Sequence, residues 1–423
     1  MEQDNGISYD ATDASKLRDL GIYIHIPFCI KKCDYCDFLS APAGEETKRR
    51  YLEALLIQIR SYLGKSDGYI VPSIFVGGGT PSCVEASYIN LIMEALKDVF
   101  LIDWGRLEAT IEVNPGTVSK EKLMTYKEAG FNRLSFGLQS ADNKELRLLG
   151  RIHSYEQFKD NFYLAREVGF SNINIDLMSA LPGQTVASWE GTLSSVINLK
   201  PEHISAYSLI IEEGTPFFQR YGEESVGNSI LPDEETDRLI YHRTKEILKS
   251  NGYDRYEISN YAKEGFECRH NNSYWIGTQY LGLGLGAASL IHNGRFHIVN
   301  DLELYIQLCE KYQSNQQVEN INDIKWTSDE ISKDAIGLYS DFELLKEKDR
   351  MEEFMFLGLR LSKGVSKADF FQRFHISIEA IYGNVTRQLL QNGLLISAGD
   401  RLKLTEYGID VSNVVLAEFL LGE

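Results

Sequence analysis

Long apolar runs are missing: nothing in the 423 residues approaches the roughly 20 consecutive apolar positions of a membrane-spanning helix. The opening MEQDNGISYDATDASKLRDL has neither the basic start nor the apolar stretch of a secretory signal. Positive charge is in deficit, with 43 Lys and Arg against 61 Asp and Glu and a net charge of −18. Such a surface repels phosphate backbones, and no local basic patch reverses the field, so nucleic acid is not an expected partner. There is no long internal repeat and no low-complexity tract. The expectation is a cytoplasmic protein with no integral membrane segment. Cysteine is sparse at six residues, and in a long chain without an export signal these read as thiols, metal ligands or core groups rather than disulfides.

What is present is a globular balance, 43% hydrophobic and 25% charged. Six β-rich runs begin at Gly21, Ser73, Leu107, Arg133, Asn172 and His203, with helical apolar spacing between them, as in Tyr88, Leu91, Ile92 and Ala95. Strands separated by helical crossovers imply a parallel sheet, and six such units suffice for an open barrel over residues 21–210. A short extension, 1–20, precedes it. Residues 211–312 are less regular and read as an extension of the barrel. A segment at 313–349, rich in Gln, Asn and Asp at its start, reads as a connector. From 350 to 423, helical patterns precede a plausible hairpin at Gly393–Ile396 and Leu402–Thr405, as in a winged helix. Residues 364–423 carry five basic and seven acidic side chains, which favours a packing or partner-binding role over DNA.

The most specific feature is Cys29-Ile30-Lys31-Lys32-Cys33-Asp34-Tyr35-Cys36, a C-x3-C-x2-C array just past the first predicted strand. Cubane iron–sulfur clusters are normally held by four thiolates, so three would leave one iron open to a non-protein chelator. A zinc site needing a fourth ligand from elsewhere, and a disulfide, are the alternatives. Cys83, Cys268 and Cys309 stand alone, as small buried apolar residues do. Gly77-Gly78-Gly79-Thr80-Pro81 follows the second strand and would let backbone amides approach a carboxylate or phosphate. Glu112 ends an apolar strand, where it meets a ligand hydroxyl, an ammonium or a basic side chain, or closes a salt bridge inside the barrel. Gln139, Arg151 and Asp176 also sit at or just past strand ends, on the face where β/α barrels assemble their sites.

The cysteine loop after a barrel strand resembles the signature of radical S-adenosylmethionine enzymes. Tyr23-Ile24-His25-Ile26-Pro27-Phe28-Cys29 is similar to the branch of oxygen-independent coproporphyrinogen III dehydrogenases and HemW heme chaperones. The resemblance implies an open (β/α)6 partial TIM barrel of the radical SAM type with a small helical, winged-helix-like C-terminal domain. It implies a [4Fe-4S] cluster on Cys29, Cys33 and Cys36, and S-adenosyl-L-methionine chelating the open iron, whose reductive cleavage yields a 5′-deoxyadenosyl radical. Carried over from the dehydrogenase branch, Tyr23, Gly79, Thr80, Glu112, Gln139, Arg151, Asp176, Ala206 and Ala288 match positions that line nucleoside sites.

Within the branch, the dehydrogenase pattern has a further cysteine two residues after the third ligand, where this chain has Phe38 in Cys36-Asp37-Phe38. The roughly 20 residues before the first strand are also fewer than the dehydrogenases carry. Cys268-Arg269-His270-Asn271-Asn272-Ser273-Tyr274-Trp275 contains the H-N-x-x-Y-W pattern of HemW proteins. A neutral imidazole is a common axial ligand for heme iron and aromatic rings can cover a porphyrin face, so His270 is the candidate heme contact. Without the resemblance, the same stretch reads as an aromatic strand whose His270 and Asn271 make structural hydrogen bonds. The function implied is heme binding and delivery to client hemoproteins such as respiratory cytochromes, with peripheral contact to membrane-bound clients, on an enzyme fold without coproporphyrinogen dehydrogenase activity. The alternative is that dehydrogenase itself. Anaerobic reconstitution with iron and sulfide is expected to give a brown protein that bleaches on reduction; a colourless product would favour zinc.

Overall fold

The computed structural model describes residues 17–316 and 334–422. Residues 1–16 of the expected extension and 317–333 of the expected connector lie outside the described residues. The first half runs β1 (Arg18–Ile26), α1 (Glu45–Arg60), β2 (Tyr69–Gly78), α2 (Ala86–Val99), β3 (Glu108–Val113), α3 (Lys120–Ala129) and β4 (Arg133–Gln139). It continues with α4 (Asn143–Leu148), α5 (Tyr155–Val168), β5 (Ile173–Ser179), α6 (Val186–Ile197) and β6 (His203–Ser208). Helices begin where the chain supplies caps: Ser119 for α3, Ser154 with Gln157 in a capping box for α5, and Thr185 for α6. Left-handed Gly130 and Gly169 end α3 and α5.

Strands β1 to β6 pair in parallel and in chain order. Ile22, Ile24 and Ile26 of β1 are fully buried, as are Leu134, Phe136 and Leu138 of β4, because each strand is packed against helices or an inner core. Residues 211–312 then extend this sheet at both edges. After α7 (Pro216–Tyr221) and α8 (Glu234–Ser250), β8 (Asn260–Ala262) pairs antiparallel with β6, and β7 (Asp254–Arg255) pairs antiparallel with β8 at the edge. Following α9 (Arg269–Trp275), β9 (Gln279–Leu283) pairs parallel to the free edge of β1, and β10 (Ala288–Ile291) and β11 (Gly294–Ile298) continue antiparallel. The segment bearing H-N-x-x-Y-W is therefore helix α9 rather than a strand: the Asn272 and Ile276 amides donate four residues back to the Cys268 and Asn272 carbonyls.

α10 (Leu302–Gln316) and β12 (Tyr339–Leu344) follow. β12 lies inside the expected connector yet pairs with β11, completing a 12-stranded open sheet among the described residues with β12 and β7 as its edges. The C-terminal unit comprises α11 (Glu347–Gly358), β13 (Val365–Ser366), α12 (Lys367–Phe374), α13 (Ile378–Gln391), β14 (Leu395–Ala398), β15 (Arg401–Leu404), α14 (Glu406–Asp410) and α15 (Ser412–Ala417). β13 joins the expected hairpin as a third strand, and Met355, Phe370, Ile378, Val415 and Phe419 form a separate core. This unit meets the barrel through polar contacts: Glu406 pairs with Lys245 and Arg255 at 2.6 and 3.2 Å, and Asp410 stands 3.1 Å from His242. Among the described residues no helix is long and apolar enough to cross a membrane.

Candidate functional site

Parallel pairing brings the carboxyl ends of β1 to β6 to one rim, and a cavity of about 320 Å³ opens there. Cys29, Cys33 and Cys36 line it, together with Gly79, Thr80, Glu112, Gln139, Arg151 and Asp176 from the loops and ends of successive strands. The cysteine loop is fixed at several points. The Asp34 amide donates to the Leu149 carbonyl at 3.1 Å, the Phe217 amide of α7 donates to the Asp34 carbonyl at 2.9 Å, and the Asp34 carboxylate pairs with Arg220. His25 Nε2 reaches the Leu39 carbonyl at 2.9 Å. No three His, Cys, Asp or Glu side chains among the described residues stand close enough to cage one metal ion. The three cysteines nonetheless line the same cavity.

Arg151 ties this loop to the rim. Its Nη1 donates to Cys33 Sγ at 3.5 Å, and its Nη2 donates to Asn114 Oδ1 at 2.6 Å and to the Gly137 carbonyl. Asn114 in turn donates to Thr80 Oγ1 at 2.7 Å. Four buried atoms of residues lining the cavity, Arg151 Nε, Gln139 Oε1, Arg133 Nε and Asn260 Oδ1, have no hydrogen-bond partner among the described residues. Gln139 also has a backbone φ of 74°, a left-handed conformation that non-glycine residues adopt at some cost and that clusters at binding sites.

The glycine run acts differently from the sequence expectation. The Gly78 amide donates to Glu112 Oε2 at 3.1 Å, the Gly79 amide to the Ile26 carbonyl at 2.9 Å and the Thr80 amide to the Phe28 carbonyl at 2.7 Å. These amides are engaged within the protein rather than aimed at a ligand. What the glycines provide is room: a Cβ on Gly78 would lie 2.6 Å from the His25 ring, and one on Gly79 would lie 2.5 Å from the Phe28 carbonyl oxygen.

The remaining expected residues fall elsewhere. Tyr23 is packed behind the rim, donating to or accepting from His25 Nδ1 at 3.0 Å, and its ring lies on Phe75, which does line the cavity. Ala206 faces away, because successive side chains on β6 alternate and Ser205 and Tyr207 take the cavity side. Ala288 lines a different cavity, between the sheet extension and the C-terminal unit. His270 is 1% exposed, with Nδ1 3.1 Å from Ser73 Oγ and Nε2 2.8 Å from the Tyr274 hydroxyl. Both ring nitrogens are taken, so in this arrangement neither faces an iron. Burial, reinforced by Arg133, pushes its pKa down to about 3, which keeps the ring neutral.

Sequence reading passed over a polar network inside the rim. Asn174 donates to Ser135 Oγ at 2.7 Å and to Asp176 Oδ1 at 2.8 Å, Ser135 donates to Asp176 Oδ2 at 3.1 Å, and the buried Arg133 guanidinium lines the same cavity. The signal was there: Arg133 and Ser135, then Asn174 and Asp176, alternate at period two within apolar strands. Burial raises the Asp176 pKa in spite of these bonds. Burial, then the Asp176 charge, pushes Glu112 up to about 8 against the opposing Gly78 amide and Arg133.

Comparison with known proteins places this geometry. Residues 23–196 match the radical SAM superfamily model and residues 345–411 match the HemN C-terminal domain model. Among curated relatives, the heme chaperone HemW of Bacillus subtilis is 34% identical over 94% of this chain and 98% of its own length. The Escherichia coli heme chaperone HemW is 31% identical over 96% and 99%. A mitochondrial radical S-adenosyl methionine domain-containing protein 1 of Danio rerio is 30% identical over 95% and 87%. The solved coproporphyrinogen III oxidase (HemN) of Escherichia coli superposes with a TM-score of 0.79 at 23% identity, covering 96% of this chain and 91% of that one, which establishes the shared fold.

A carboxyl whose folded pKa is raised stabilises the fold in its protonated form. The Glu112 contribution is therefore complete below its ordinary value of 4.5 and is lost as pH rises through about 8. In urea unfolding of the ligand-free protein, Glu112→Gln should flatten the decline in stability from about pH 5 to about pH 8 by on the order of 2 kcal/mol. Parallel pH profiles for the two proteins would contradict this.

Proposed function

The chain belongs to the HemW family of heme chaperones within the radical SAM superfamily, and from this we propose that it binds heme and hands it to client hemoproteins, with a [4Fe-4S] cluster and S-adenosyl-L-methionine at the strand-end rim. The observation that carries the cofactor part is the meeting of Cys29, Cys33 and Cys36 in one cavity with strand-end polar groups, among whose buried atoms Gln139 Oε1 and Arg151 Nε have no partner among the described residues. When bound, a three-thiolate cluster with a nucleoside at its open iron supplies one-electron chemistry.

The protein's own groups divide the work. Cys29, Cys33 and Cys36 would hold the iron, and Arg151 sets a cation against Cys33 while positioning Asn114 and, through it, Thr80. Gln139 Oε1 and Arg151 Nε are an acceptor and a donor available to a polar ligand. Glu112 and Asp176 offer carboxylates to hydroxyls or an ammonium, and Gly79 keeps the second loop close against the cysteine loop. Tyr23 acts from behind the rim by backing Phe75, which reaches it. His270 acts through its hydrogen bond to Tyr274 rather than by ligating iron.

Phe38, on the cavity rim and 62% exposed, occupies the position where the dehydrogenase pattern has its further cysteine. Together with the full-length likeness to named heme chaperones, this favours carriage of heme over decarboxylation. The setting we propose is cytoplasmic, with peripheral contact to membrane-bound clients such as respiratory cytochromes. Two anaerobic assays test the proposal. Heme-loaded protein mixed with an apo-cytochrome should transfer its heme, read as the client's absorption spectrum. Supplied with reductant, S-adenosyl-L-methionine and coproporphyrinogen III, it should form no protoporphyrinogen; clear formation would replace the chaperone reading with the decarboxylase one.

A further inference from the structure

A second cavity, of about 310 Å³, lies apart from the strand-end rim, where the sheet extension faces the C-terminal unit. Its floor is one face of the antiparallel strands. Leu290 stands opposite Tyr280 on one side and Arg295 on the other, and Ala288 is paired with His297; partners across an antiparallel ladder share a face. Its roof is α11, with Arg350, Phe354 and Leu357, and Arg373 closes it from α12. Its end wall is the last turn of α9, with Tyr274 and Trp275, and the Tyr274 ring meets Tyr280 edge-on at 4.6 Å.

The lining is basic, as that of the strand-end cavity is. Three guanidiniums and one carboxylate, Glu353, give it a local excess of two positive charges in a chain whose net charge is −18. Arg295 is paired, donating to Glu353 at 2.7 Å. Arg350 donates to the neutral Asn293 side chain at 3.1 Å and its buried Nε has no partner among the described residues, while Arg373 donates to the Ile276 and Gly277 carbonyls at 3.4 and 3.3 Å; both guanidiniums lie over the Phe374 ring. Two guanidiniums with no ion pair among the described residues, above aromatic and aliphatic walls, suit a flat apolar ligand carrying two carboxylates. The His297 imidazole, which has no hydrogen-bond partner among the described residues, adds a free nitrogen donor.

We infer that this cavity between the sheet extension and the C-terminal unit is the seat of heme, with Arg350 and Arg373 pairing with its propionates and His297 supplying an imidazole. The inference rests on the heme-carrying reading above and gives it a location. It also gives H-N-x-x-Y-W a physical meaning: Tyr274 and Trp275 form the wall, and His270, hydrogen-bonded to Tyr274, is a positioning residue. Asn293, Ile276 and Arg373 are exposed at or beside the mouth, so the macrocycle can project toward a client.

The test is heme titration of the full-length, cluster-reconstituted protein under anaerobic conditions. Arg350→Ala/Arg373→Ala should weaken heme binding about tenfold or more, while both proteins bind the propionate dimethyl ester of heme alike. His297→Ala should shift the Soret band, whereas His270→Ala should lower affinity and leave the band in place. Unchanged circular dichroism and cluster absorbance check that the variants fold. The ester comparison on the wild type alone is a second measurement: equal affinity for heme and its ester overturns the pairing with propionates. If the wild type binds heme and every variant binds it equally well with the same spectrum, the site is overturned and the heme-carrying reading stands. A wild type that binds no heme overturns both.

Discussion

Parallel pairing of six successive strands is the constraint from which the rest of the molecule follows. Each crossover helix returns the chain to the same end of the sheet, so every strand delivers its last residues to one rim. Cys29, Cys33, Cys36, Thr80, Glu112, Gln139 and Asp176, spread over nearly 150 residues of sequence, meet there without any long-range folding device beyond the ladder itself. The bonds of Arg151 to Cys33, Asn114 and Gly137 then lock the cysteine loop onto the ends of the third and fourth strands.

Helix α9 stands between the two cavities. Asn271 lines the strand-end cavity, while Tyr274 and Trp275 line the second. Phe75, on the wall of the first cavity, stacks on His270 at 5.3 Å, and His270 meets Tyr274 at 5.1 Å. A neutral imidazole is what this sandwich tolerates, since a charged one would have to be buried beside the Arg133 guanidinium. The motif is thus a packed partition between the strand-end cavity and the second one. The antiparallel strands added beyond β1 provide the floor on which the C-terminal unit closes the second cavity.

The six parallel strands and the cysteine loop were legible because β-rich runs separated by helical spacing and a tight cysteine array are local signals. Arg133, Ser135, Asn174 and Tyr207 were passed over, although polar residues alternating within apolar strands mark an inward face. Ala206 and Ala288 came from resemblance alone. The first turns away because its neighbours take the rim, and the second lies on a strand that belongs to the other cavity. α9 has seven residues and almost no apolar period, so nothing local separates it from a strand. The second cavity was invisible in the sequence: its lining is drawn from residues 274–297 and 345–373, which only the folded sheet and the docked C-terminal unit bring together.

The central claim is that one chain holds a cluster-bound nucleoside and a heme in separate places, with α9 between them. Equilibrium dialysis of labelled S-adenosyl-L-methionine against the cluster-reconstituted protein, with and without saturating heme, tests it most directly. The account predicts that both ligands are retained together, each at its full stoichiometry. Displacement of the nucleoside by heme would contradict it.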